Sequence, residues 1–307
     1  MSLELLILGS NSAAFAHRRH HTAQLFKLQE QHFLIDCGEG TQLLMKRYKV
    51  KLSRIDHIFI SHLHGDHYFG LIGLLSTMHL FGRKKDLLLV CPPGLKEILQ
   101  LQLRHSETSL NFRIQYVEFT PGESEIVHET PKYTVTTLPM DHRVPCSGYL
   151  FKEKPKKRRI NRNKLPEVQL SSLDIVRLKE GEDILNEDES IKYENKLLTL
   201  DPNPSFSYAF FSDTRLRPEL VDTIKGVDLL YHEATFANDM KDRAVQTFHT
   251  TAEQAAQFAK DAEVGKLVLG HFSARYKELD PILNEAKAIF PKAELAIEGT
   301  KFVVDGK

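Results

Sequence analysis

The sequence predicts a layered α/β protein in which two mixed sheets lie between helices. Three observations lead to that class. Short apolar segments rich in β-branched residues alternate with helix-period segments along most of the chain. The trend from strands to helices occurs twice, once in each half, without any short repeat that would indicate a solenoid. With 307 residues, 41% of them hydrophobic, the chain can bury a large core.

LELLILG (3–9) reads as a buried strand, followed by a polar loop to Thr22. AQLFKLQ and QHFLIDCG alternate apolar residues and read as a hairpin. GEGTQLLMKRY reads as a helix opening on a Gly-rich turn, and IDHIFISH (55–62) as a strand. YFGLIGLLSTMHLFG (68–82) is expected to form one helix, apolar nearly all round, so it is either buried or partly interfacial. DLLLVCPP is a strand and GLKEILQLQLRH a helix. FRIQYVEFT, YTVTTLPMDH and CSGYLFKE are strands.

The composition then changes. KEKPKKRRINRNK (152–164) is strongly basic, GEDILNEDES (181–190) is acidic, and DPNPS is Pro-rich. This stretch reads as an inserted excursion. SYAFFSDT, VDLLYHEAT and KLVLGHFS resume the strands, with the helices TTAEQAAQFAKDA and ELDPILNEAKAIF around the last of them. AELAIEGTKFVV closes the chain as strands.

Lys plus Arg equals Asp plus Glu, 41 each, which argues against a uniformly basic nucleic-acid binder; a basic patch has to be local. Three scattered cysteines argue against a disulfide framework and for a reducing compartment. The opening residues lack the basic segment of a signal peptide, and no apolar run reaches the roughly 20 residues of a membrane span. The expectation is a soluble cytoplasmic protein of one domain over 1–307, with no membrane partner and no nucleotide cofactor.

Fifteen histidines are the unusual count, and several follow strands directly. In HLHGDH, His62 and His64 are two apart and point the same way if strand geometry continues. Asp66 and His67 follow a glycine that permits a sharp turn. Imidazole and carboxylate without thiolate suit an open, catalytic zinc-type site. His142, Asp213 and His271 stand at further strand ends. Seven such side chains suit two metals sharing one carboxylate, an arrangement that serves phosphoryl displacement.

This order of motifs resembles the metallo-β-lactamase superfamily and, more narrowly, the ribonuclease Z family. GSNSAAFAHRRHHT, LIDCGEGTQLLM, SHLHGDHYFGLIGLL, PPGLKEIL, MDHRVPCSGY, FFSDTR, YHEATF, HTTAEQAA and LGHFSARY follow in the family's order. The resemblance implies a metallo-β-lactamase-like αββα sandwich and a zinc-dependent endoribonuclease that removes the 3′ trailer from precursor tRNA. By the same resemblance, His62, His64 and His142 would hold one Zn2+, and Asp66, His67 and His271 a second, with Asp213 bridging; Mn2+ would also suit. Asp66 would orient the attacking water, His249 would be the general acid, and Glu233 would fix its tautomer. The family also implies a homodimer.

Family members carry a protruding arm where the basic stretch lies, giving an expected tRNA-binding arm over 152–195. Lys154, Lys156, Lys157, Arg158, Arg159, Arg162 and Lys164 would neutralise phosphates there. The arm departs from the family's Gly-Pro-rich pattern: no glycine occurs between Gly148 and Gly181. Arg18 and Arg19 could contact the acceptor end. The competing readings are a small-molecule phosphodiesterase or esterase of the same superfamily, and a non-catalytic RNA- or metal-binding protein.

Overall fold

Alternation of apolar residues fixes the first sheet. In the computed structural model, which describes residues 2–306, strand β1 (Ser2–Gly9) turns Leu3, Leu5 and Ile7 to one face. β2 (Ala23–Leu28) and β3 (Gln31–Ile35) form the expected hairpin. Helix α1 (Thr41–Arg47) leads to β4 (Ile55–Phe59), α2 (Gly65–Tyr68), α3 (Leu71–Leu80), β5 (Leu87–Cys91), α4 (Leu95–His105) and β6 (Ile114–Glu118).

The helix expected over 68–82 forms as α3 over Leu71–Leu80, and a separate short α2 ends at Tyr68 just before it. Gly70 precedes α3, and its N–H donates to the Cys37 carbonyl at 2.9 Å. A Cβ at Gly70 would lie 2.2 Å from the Gly38 carbonyl oxygen, so only glycine permits this approach of the two loops.

The second half begins with β7 (Ile126–Glu129), a strand that sequence reading passed over because it is short and buries one residue, Val127. β8 (Tyr133–Pro139) and β9 (Ser147–Glu153) follow. Residues 153–205 form a separate compact unit. It contains β10 (Arg159–Ile160), α5 (Ser172–Glu180), β11 (Ile184–Leu185), β12 (Ile191–Tyr193), α6 (Asn195–Leu198) and β13 (Thr199–Leu200). Its own small core is Leu178, Ile184 and Leu198, packed by Ile160, Val168, Leu170 and Tyr193. Buried Asn195 staples it, its side-chain amide donating to the Leu178 and Glu182 carbonyls at 2.7 and 2.9 Å. Ser171 and Asp174 form a reciprocal cap on α5.

The chain then completes the first unit with β14 (Ser207–Phe211), β15 (Leu229–Glu233), α7 (Lys241–Thr247), α8 (Ala252–Asp261), β16 (Leu267–Gly270), α9 (Asp280–Ile289), β17 (Ala293–Leu295) and β18 (Lys301–Asp305). One seven-stranded sheet has the order β18-β1-β2-β3-β4-β5-β6, the other β17-β16-β15-β14-β9-β8-β7. Each is mixed, with a parallel block, β3 to β6 in one and β14 to β17 in the other.

The facing sheets enclose an aromatic layer of Phe26, Phe33, Phe59, Tyr149, Phe151 and Tyr208. Truncating such a buried ring to alanine costs about 3–5 kcal/mol. Outside, α1, α3 and α4 cover the first sheet. The alanine face of α8 and part of α9 cover the second. The arrangement is helix, sheet, sheet, helix.

Candidate metal centre

Parallel neighbours end at the same edge, and that rule assembles the site. β4 runs out through Ser61 into His62, His64 and α2, which carries Asp66 and His67. β14, β15 and β16 lie side by side and in parallel, and their C-terminal ends carry Asp213, Glu233 and His271 to that edge. His142 follows β8.

All seven residues singled out in the sequence come together. His62, His64, His142 and Asp213 each offer a donor atom within 4.8 Å of the others, and Asp66, His67 and His271 do likewise. His64 Nδ1 is 3.1 Å from both His62 Nε2 and His142 Nε2. The two oxygens of Asp213 face different groups. Oδ2 lies 3.7 and 3.8 Å from His62 and His142 Nε2. Oδ1 lies 3.4 and 3.2 Å from His67 and His271 Nε2. Asp66 Oδ2 is 3.5 Å from each of the latter nitrogens.

Asp213 Oδ1 is buried and has no hydrogen-bond partner. Buried polar atoms are normally bonded. Imidazole nitrogens face Asp213 at 3.2 to 3.8 Å while Oδ1 stays unpaired, as expected of lone pairs aimed at common points. The nitrogen and oxygen donor set fits a divalent metal cofactor.

The outward ring atoms are held as well. His67 Nδ1 donates to Asp36 at 2.6 Å and His142 Nδ1 to the Phe248 carbonyl at 3.2 Å. His271 Nδ1 pairs with Thr235 Oγ1 at 2.9 Å, and His62 Nδ1 with Ser61 Oγ at 3.0 Å. Such partners set ring orientation and tautomer. Asp36 also accepts from the Ser61 N–H at 2.8 Å and its hydroxyl at 2.9 Å. Asp36, Ser61 and Thr235 were missed in the sequence. The available signal for Asp36 was a carboxylate ending an apolar strand, LID, next to the strand that feeds the histidine loop.

The backbone is strained at the same place. Asp36, Phe248 and His271 adopt φ of 56°, 62° and 59°. A left-handed non-glycine residue costs of order 1–3 kcal/mol, retained where the surroundings demand it.

Charge balance favours the ligand forms of His62, His142, Asp66 and Asp213. Burial, reinforced by the His67 charge, pushes His62 well below the usual imidazole range, and burial brings His142 down to about 4. Burial alone would raise Asp66 and Asp213, but the surrounding imidazolium charge holds both far below the usual carboxylate range. Burial opposes charge on His67 too, yet Asp213, Asp66 and Asp36 carry it well above normal. Three carboxylates around one buried ring call for positive charge.

His249 stands beside this cluster. Its Nδ1 is 2.8 Å from Glu233 Oε1. Glu233 is fully buried and also accepts from the N–H groups of Thr214 and Thr235 at 3.0 and 3.1 Å. Burial lowers the His249 pKa, but the Glu233 charge outweighs it and lifts the ring to about 9. Burial would raise Glu233, but the His249 charge and hydrogen bond pull it below its usual value. Because Nδ1 is held by Glu233, Nε2 is the nitrogen left to act. His249, Asp66, His64 and His142 line a cavity of about 480 Å³.

The N-terminal loop reaches the cluster through its backbone: the Ala13 N–H donates to Asp66 Oδ2 at 2.7 Å. Arg19, which the sequence left open between an acceptor-end contact and a surface charge, is engaged within the body. It bonds Asn11 Oδ1 at 3.0 Å, the Lys277 carbonyl at 3.2 Å and the Tyr276 carbonyl. Arg18 is exposed.

Much of the basic run is paired within the 153–205 unit. Lys156 meets Glu153 at 2.6 Å, Arg158 meets Asp201 at 2.8 Å, Lys164 meets Glu167 at 3.4 Å, and Lys157 pairs with Glu180. Arg159 donates Nε to the Asp201 carbonyl, and Arg162 is exposed.

Two mixed sheets between helices, with an HLHGDH cluster at one edge, define the metallo-β-lactamase fold class, and solved structures agree. The short form of human tRNase Z superposes with a TM-score of 0.71 over 99% of both chains at 24% identity. The metallo-β-lactamase fold protein YhfI from Bacillus subtilis gives 0.69 at 17% identity, over 99% of this chain and 100% of that one. The model of a family described as "Anti-Pycsar protein Apyc1" matches residues 3–155. Over full length, a ribonuclease Z of Cytophaga hutchinsonii is 49% identical, covering 100% of this chain and 98% of its own. One from Bacteroides thetaiotaomicron is 46% identical, covering 96% and 93%. The chain belongs to the ribonuclease Z family. Among the described residues no helix is long and apolar enough to cross a membrane.

Proposed function

We propose that this chain is a metal-dependent endoribonuclease that removes the 3′ trailer of precursor tRNA, leaving a 3′-hydroxyl on the tRNA and a 5′-phosphate on the trailer. The observation that carries the reading is the pairing of a seven-donor cluster with a protonated His249 on one cavity, in a full-length relative of ribonucleases Z.

His62, His64 and His142 would hold one Zn2+, Asp66, His67 and His271 the other, and Asp213 would bridge them. Bound there, such ions supply Lewis acidity, neutralising phosphoryl charge and bringing the pKa of water toward about 7. The protein does the rest. Asp66 is ionised, held by the Ala13 N–H, and turned toward the donors, so it can orient the attacking water. Glu233 keeps the His249 ring charged, so Nε2 can deliver a proton to the departing ribose 3′ oxygen. The cluster itself, buried apart from the cavity side, excludes bulk water from the donors.

The arm, 152–195 as read from sequence, would bind tRNA by shape, with Arg162 and other basic residues on phosphates. A homodimer in the reducing cytoplasm completes the proposal. The test is cleavage of a 3′-extended precursor tRNA with both product ends mapped. Wild type cuts at the trailer junction, and Asp66→Ala and His249→Ala lose the cut. Deleting residues 152–195 abolishes tRNA cleavage and spares hydrolysis of bis(p-nitrophenyl) phosphate; equal loss of both contradicts the arm's role. A wild type inert on precursor tRNA yet active on the small diester identifies a small-molecule phosphodiesterase instead.

A further inference from the structure

Phe69 has no part in the mechanism above, yet it lines the same cavity as His64, Asp66 and His249. It is 61% exposed, a large value for a phenylalanine two residues from a buried histidine. Its ring is placed by its neighbours. A Cβ on residue 65 would lie 2.2 Å from Phe69 Cε2 and 2.6 Å from Cδ2 and Cζ. Glycine at position 65 therefore lets the ring lie against the histidine loop, and any side chain there would displace it. Tyr68 meets the same ring edge to face, centroids 5.0 Å apart. The chain thus holds an apolar aromatic surface at the rim of the metal cluster and leaves it open to the cavity. Arg143, also exposed, lines the cavity as well.

What sets this ring apart from other exposed apolar side chains is that it lines the cavity of the donor cluster. A phosphodiester entering this cavity carries a nucleoside on each side of the scissile phosphorus, so a base is the apolar flat group brought to the rim in every encounter. Phenylalanine has no hydrogen-bonding group, so it offers stacking and no base-edge readout. We infer that Phe69 is a stacking platform for the base of one of the two nucleotides flanking the scissile bond, which orients the phosphate toward the metal cluster without selecting base identity. This rests on the endonuclease reading above and adds a substrate-contacting residue to it.

The test is a cycle of enzyme and substrate changes. Cleavage of a 3′-extended precursor tRNA is measured for wild type, Phe69→Ala, Phe69→Leu and Phe69→Trp. Each acts on intact substrate and on two substrates bearing an abasic site, one just before and one just after the cut. Stacking predicts that Phe69→Ala and Phe69→Leu lower kcat/KM on intact RNA by roughly 5- to 150-fold. Phe69→Trp retains activity. On one abasic substrate wild type is slowed by a similar factor, and Phe69→Ala slows it no further. Equal loss from Phe69→Ala on intact and both abasic substrates overturns the inference, as does full activity of Phe69→Leu. Loss of the native oligomeric state in Phe69→Ala, at unchanged activity per active site, assigns the ring to a subunit contact and overturns it too. Wild type failing to cut any precursor tRNA is a separate outcome, and it sinks the endonuclease reading itself.

Discussion

The metal cluster and the 153–205 unit are both dense in charged side chains, and they treat charge oppositely. In the cluster, Asp66, Asp213 and four of the five histidines are buried or nearly so, and each outward ring nitrogen that the structure ties down has a named partner. In the other unit Lys157, Lys164, Glu167 and Asp201 sit in water and pair with neighbours on their own surface. Desolvation makes the first set expensive to build and intolerant of change. Solvent screening makes the second set forgiving. A substitution in the cluster should therefore act on function by orders of magnitude, and one in the arm's ion pairs by little.

The strongest way to break that contrast is Asp213→Ala. It removes the oxygens that face both groups of donors. Cleavage of precursor tRNA should fall about a thousandfold or more, since Lewis acidity contributes several kcal/mol. Elemental analysis should find less metal per chain. Near-normal metal content and rate would show that the convergence of donors is incidental.

His249→Ala comes next, with an expected loss of about 10²- to 10⁴-fold in the rate of cleavage. Its pH behaviour sharpens the point. With the ring raised to about 9, the proposed proton donor is charged at neutral pH and loses its proton as pH rises through about 9. Stability follows the same sign: the Glu233–His249 contribution is fully present below the unfolded histidine value of about 6.5 and is lost as pH climbs through about 9. In Glu233→Gln the alkaline fall in rate should move to lower pH. An unmoved alkaline limb would detach Glu233 from the proton donor.

Asp36→Asn tests a residue that touches no metal position. It weakens the grip on His67 Nδ1, and metal affinity, followed by competition with a chelator, should drop about 10- to 100-fold while the fold is kept. The smallest effect belongs to the arm. Arg158→Ala breaks the pair with an Asp201 side chain that is 86% exposed. Thermal unfolding should report a change of about 1 kcal/mol or less. A large loss there would mean that the arm's pairs act as a network.

The contrast also explains what could be read in advance. A ligand that ends an apolar strand advertises itself, because the strand pattern says where the chain stops and the polar residue says what is delivered. His62, His142, Asp213 and His271, which the structure brings together, were picked out that way as candidate donors. Asp36 and Thr235 end strands too, but they act through another side chain, and no local spacing ties them to it. The arm's basic run was visible as charge, yet its pairing with Glu153, Glu180 and Asp201 depends on which strands and turns fold together. Arg19 shows the same limit: a cation in a loop next to the site was available to substrate by sequence and is bonded to carbonyls by structure. The need for glycine at position 70 was hidden, because only the approach of the Gly38 carbonyl creates it.

The donors are drawn from positions 62 to 271, so the centre closes only when β16 has joined its sheet. A chain interrupted before Leu267 retains the whole HLHGDH loop, a whole first sheet but for its edge, and Asp213, yet it lacks the imidazole that completes the second group. Such a chain would carry six of the seven donor residues and an open second group.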